Sequence, residues 1–160
     1  MAGAPLFMRD VKLTLKLTAT RVAFECDLSI AEIIPTPGDD VTYATLCPTG
    51  SYSSRGKTTY ALHLVAVQKW DATGLAAFLW DNDGATAEFQ YQAHGQATIP
   101  SVDAPGMAGF VVLSAGNYGG EVDTWAELDV TLPCTTKPTK ISAAFPAAAD
   151  EEPAAEPAAA

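Results

Sequence analysis

Residues 70–84 read WDATGLAAFLWDNDG, the one stretch of the chain with a helical signature. Asp71 is placed to cap its amino end, because a carboxylate there can accept an N–H two or three residues on. Leu75, Phe78 and Leu79 fall at i, i+3 and i+4 and form one narrow apolar stripe. Gly84 can supply the left-handed residue that ends the helix. A short amphipathic helix among strands covers the open face or edge of a sheet. The expected fold class is therefore all-β with one short helix.

The flanking segments read as those strands. Tyr60 to Trp70 is apolar at nearly every position, as a central strand or one covered on both faces should be. After the helix, Phe89 and Tyr91 alternate with Glu88, Gln90 and Gln92, a strand with one wet face. Gln96 to Pro105 is a turn-rich crossing. Gly109 to Ser114 is a buried strand, and Asn117 to Gly120, NYGG, is a tight-turn signal. Thr124 to Leu132 turns Ala126, Leu128, Val130 and Leu132 inward and Trp125, Glu127, Asp129 and Thr131 outward.

Toward the amino end, Val11, Leu13, Leu15 and Leu17 alternate with Lys and Thr. Thr20 to Ile34 repeats the pattern, with Val22, Phe24, Cys26, Leu28 and Ile30 on one side. A long antiparallel hairpin is expected, Lys12 and Lys16 facing Glu25 and Asp27 across it. Between the strands, Pro35 to Thr59 has little periodicity, too long for a plain connection and too apolar for a linker. Its Val41, Tyr43, Leu46 and Tyr52 suit a loop or hairpin that orders against a partner, or a flap within the domain. Residues 1–10 read as an arm. Its Leu6, Phe7 and Met8 either dock another subunit or pack on their own core. Residues 11–140 form the β-domain. Residues 141–160 are an Ala/Pro/Glu tail expected to be disordered.

With 160 residues and 48% apolar content, one domain with a real core is expected. No apolar run is long enough to span a bilayer. The first residues lack the basic start and apolar core of a signal peptide, so a cytoplasmic protein is expected. Cys26, Cys47 and Cys134 show no CxxC spacing and read as buried free thiols.

The net charge is −10, and it is unevenly spread. Residues 1–69 hold seven Lys or Arg and six acids, while residues 70–136 hold nine acids and no Lys or Arg. This is either a soluble acidic surface or a subunit built for directional association. With no basic cluster, a protein that grips phosphates is disfavoured.

No set of chemically reactive residues stands out, so no enzyme, cofactor or metal is expected. His63 and His94, the two histidines, have no acid or thiol near them in sequence at triad or ligand spacing. Aligning Gly84 with the glycine of a calcium loop puts Leu79 and Gln90 where carboxylates belong, so Asp81 to Gly84 reads as a helix end. Gly116 to Gly120 lacks the following helix and basic residue of a phosphate cradle. Trp70 and Trp80 are expected to anchor the helix to the sheet, and Trp125 to meet a partner.

The order of these pieces resembles the major tail tube proteins of long-tailed, non-contractile bacteriophages. The resemblance spans about residues 8–140. It rests on the opening strand pair, the long loop with LCPTG at Leu46 to Gly50, and the unit TTYALHLVAVQKWDATGLAAFLWDNDG. It also rests on FQYQ and on the ending GNYGGEVDTWAELDVTLP followed by KPT. It implies a β-sandwich or β-barrel with a flanking helix, a structural role, and a homo-oligomer of hexameric rings stacked into a tube. DNA would pass through the lumen without specific binding, other phage tail proteins would be partners, and the place of action would be the virion tail after assembly in the host cytoplasm. An acidic lumen would repel DNA and let it slide, and Glu88, Glu127 and Asp129 are the candidate lining acids. A capsid decoration protein and a carbohydrate-binding β-sandwich module using Trp125 are the alternatives.

Overall fold

The computed structural model describes residues 8, 10–19, 21–47, 49–93 and 99–145. Ten strands and one helix are described. Strand β1 (Lys12–Lys16) turns into β2 (Arg21–Ala23), and β3 (Leu28–Thr36) follows. A small hairpin, β4 (Val41–Ala44) and β5 (Ser51–Ser54), precedes β6 (Thr59–Val67). Helix α1 (Leu75–Asp81) leads to β7 (Thr86–Gln92), β8 (Gly106–Val112), β9 (Glu127–Pro133) and β10 (Thr139–Ile141).

Two antiparallel sheets carry the core: one of five strands, in the order β10-β8-β7-β1-β2, and one of three, in the order β3-β6-β9. Leu13, Leu15, Phe89, Val111 and Leu113 belong to the five-stranded side, and Leu62, Leu64, Leu128 and Leu132 to the three-stranded side; all are at most 1% exposed. The period-two alternation predicted this for β1 and β9, because side chains two apart share a face. β6 is central, as its apolar run implied. At one corner Thr135 N–H donates to Phe110 O at 3.0 Å, and the chain crosses from β9 to pair with β8 as β10. Among the described residues the sheets do not close into a barrel.

The expected long hairpin is instead broken in two. β2 pairs with β1 for three residues, a turn follows at Phe24 to Asp27, and β3 joins the other sheet against β6. Phe24 stays buried, but Cys26 is exposed in the turn. A register shift then falls between Leu28 and Ile30, so Leu28 lies opposite Ala66 and Ile30 opposite Val65. One extra residue moves every later side chain to the other face. Ile30 is consequently 46% exposed. The cross-strand pairs differ too: Lys16 lies opposite Arg21 on one side and Glu88 on the other.

The helix buries Leu75, Ala76 and Leu79, and Phe78 meets Phe24 with ring centroids 5.2 Å apart. Asp71 does not cap it. Its carboxylate accepts from the Thr73 N–H at 2.9 Å and the Thr73 hydroxyl at 2.7 Å, which tightens the turn before the helix. Gly74 holds the cap position with no side-chain bond. Gly84 has φ 81°, a left-handed conformation that suits a residue without Cβ. NYGG is not a hairpin turn. Asn117 acts as a strand substitute, its amide donating to Glu127 O at 2.8 Å and accepting from the Asp129 N–H at 3.1 Å along the free edge of β9.

The folded chain continues past residue 140. Ile141 completes β10, and Phe145 lies over Gly106, where a Cβ would run into its ring. Together they cover part of the outer face of the five-stranded sheet. Gln90 and Gln92, expected on a wet face, are 4% and 1% exposed.

Candidate functional site

Three surfaces hold the residues that the sequence singled out. The first is the β4–β5 hairpin, which is what the aperiodic stretch forms. Tyr43 lies opposite Tyr52, and all eight strand residues are exposed. Thr45 closes the tip, its N–H and hydroxyl both donating to Gly50 O at 3.0 and 2.8 Å. Val41, Tyr43 and Tyr52 are 67–72% exposed, and Leu46 at the tip is fully exposed. Cys47 is exposed beside it, its thiol held below the usual range by hydrogen bonds from Thr49. Only Cys134 is partly buried, and burial pushes its thiol up. Of the arm, Leu6 and Phe7 lie outside the described residues. Met8 is half exposed, with its sulfur 3.8 Å from the Tyr91 hydroxyl. That hydroxyl donates to Ala31 O at 2.7 Å and bridges the two sheets; burial, then the Glu32 charge, raises its pKa.

The second surface is aromatic. Trp70 and Trp80, expected to anchor the helix to the sheet, are not part of the core cluster. They are 41% and 52% exposed and pack on each other edge to face, with centroids 5.8 Å apart. Tyr118 adds a second edge contact to Trp70 at 5.1 Å. The helix face carrying Trp80 points away from the buried stripe, so the rings pack together above the surface. Their planes are steeply tilted to one another, by 69° for Trp70 and Trp80 and 74° for Trp70 and Tyr118. Trp125 is 86% exposed, as its alternation predicted.

The third surface is the outer face of the three-stranded sheet. Glu127 and Asp129 stand on it together, two residues apart on β9. Glu88 does not join them: it lies on β7 in the other sheet, 3.2 Å from the Arg21 guanidinium. The face is not simply polar. Ile30, Ile34 and Val67 are 46%, 39% and 42% exposed on it. At its centre, His63 is bracketed by two carboxylates from different strands. Nδ1 lies 2.9 Å from Glu32 Oε1, and Nε2 lies 2.9 Å from Asp129 Oδ1. The Glu32 hydrogen bond first, then that of Asp129, holds the imidazole above the ordinary histidine range, against the opposing effect of burial. Sequence spacing missed this cluster because its members are 31 and 66 residues apart. The signal available was register: a strand-centre His with an acid on each neighbouring strand. His94 lies outside the described residues.

Among the described residues no group of three or more His, Cys, Asp or Glu is placed to hold a metal ion. No described helix is long and apolar enough to cross a membrane. No protein-family model matches the chain, and no curated protein matches it.

Proposed function

We propose that the chain is a structural subunit of a tail tube of a long-tailed, non-contractile bacteriophage, assembling with copies of itself into stacked hexameric rings around a DNA conduit. The observation that carries this reading is the β4–β5 hairpin, which exposes Val41, Tyr43, Leu46 and Tyr52. A monomer gains nothing from holding these side chains in water, whereas a neighbouring copy buries them at about 25 cal/mol per Å². The order of sequence elements and the two-sheet β architecture with one flanking helix support the same reading. The acids that share one open face, Glu127 and Asp129, are the lumen candidates on this reading. DNA carries about one charge per 1.7 Å, and a carboxylate wall repels it rather than holding it.

The test is negative-stain electron microscopy of the concentrated protein, wild type against Tyr43→Ser/Leu46→Ser/Tyr52→Ser. Hollow tubes or stacked rings in the wild type that vanish in the triple variant are expected. Compact trimers would instead favour a capsid decoration protein.

A further inference from the structure

The His63 cluster has a chemical consequence that does not depend on the assembly reading. A neutral imidazole carries one N–H and one bare lone pair. Both ring nitrogens here face carboxylate oxygens at 2.9 Å. With a neutral ring, one of these contacts would set lone pair against lone pair. The Glu32 and Asp129 side chains are 54% and 69% exposed. Both contacts are hydrogen bonds when the ring is an imidazolium, which has two donors.

We propose that His63 is a proton-operated staple: as imidazolium it ties Glu32 of β3 to Asp129 of β9 through β6, and on losing its proton it releases one of them. Glu32 lies directly opposite His63, and Asp129 sits on the diagonal, opposite Val65. The other residues around the ring on this face are uncharged: Ile30 and Ile34 on β3, Ala61 and Val65 on β6, Thr131 on β9. The next charge is Glu127, opposite Val67, and it is also negative. The surroundings therefore favour the cation, in agreement with the upward displacement of its pKa. Neither nitrogen is free to act as a base toward a substrate. The two carboxylates lie on opposite sides of the ring and do not converge on a common ion.

A histidine whose folded pKa is raised contributes stability that is complete below its unfolded value, near 6.5, and is lost as pH rises through the folded value. Deprotonation leaves two carboxylates uncompensated at the centre of the sheet face. Because both acids are exposed, salt weakens the effect.

The test is an NMR pH titration of the ring signals, assigned by their disappearance in His63→Gln. The expected midpoint lies above the ordinary histidine value and falls in Glu32→Gln, in Asp129→Asn, and further in the double variant. Thermal melts should show the wild type losing its advantage over His63→Gln as pH rises above about 6.5. A midpoint at or below the ordinary value would overturn the proposal. So would a midpoint that only one of the two acid substitutions moves, since the staple needs both ends.

Discussion

The two sheets treat their outer faces in opposite ways. On the five-stranded sheet, Thr14, Gln90 and Gln92 form a polar outer row and yet are at most 6% exposed. On the three-stranded sheet, Ile30, Ile34 and Val67 lie on the outer face and yet are 39–46% exposed. Polarity along a strand reports which face a residue takes, but not whether that face meets water. What lies over it decides that, and here the segment with Phe145 covers part of one face while nothing described covers the other. A covered polar face is a finished piece of the fold. An open face with apolar residues has room for a partner.

The largest effect is expected at what both sheets share. Phe89→Ala removes a fully buried ring between them and should cost about 3–5 kcal/mol in urea unfolding. If it costs less than about 1 kcal/mol, the two inner faces do not form one core. Next is the cover. Phe145→Ala should cost about 1–2 kcal/mol by area, and should speed amide exchange along β8 and β10 while leaving β3 and β9 unchanged. Uniform exchange changes in both sheets would mean Phe145 acts through global stability instead.

Smaller effects separate the faces more sharply. The buried Nε2 of Gln90 has no hydrogen-bond partner among the described residues. Gln90→Met should therefore be neutral or stabilising by up to about 1 kcal/mol, since it removes an unsatisfied donor at similar volume. A large loss would mean the amide is satisfied. On the open face, Ile34→Ser should change monomer stability by only about 0.5 kcal/mol. If that face is used in assembly, sedimentation should show self-association weakened in this variant. Equal losses of stability and association would remove the distinction between the two faces.

Much of the architecture was legible in the sequence because it follows from periodicity. Strict alternation fixed the buried sides of β1 and β9, the continuous apolar run of β6 marked a central strand, and the i, i+3, i+4 spacing found α1. Glu127, Asp129 and Trp125 were correctly turned outward for the same reason. The failures share a different cause. The break between β2 and β3 is a short turn at Phe24 to Asp27 and the shift at Leu28/Ile30 is a single-residue event; a bulge leaves alternation intact to the eye while reversing the face. Trp70 and Trp80 were expected to meet a sheet, but they found each other, because aromatic rings pack wherever backbone geometry brings them close.

Local spacing alone specifies the β class, the one helix and the central strand. Each of these depends on neighbours within a few positions, and local spacing carries that information. Tertiary packing alone buries the polar row on β7 and sets Glu88 apart from Glu127 and Asp129. It alone also brought Glu32, His63 and Asp129 within hydrogen-bond reach. Those outcomes depend on strand order and register between segments 31 to 66 residues apart. Pairing across such distances is set by the packing of the whole core, which no single stretch of chain specifies.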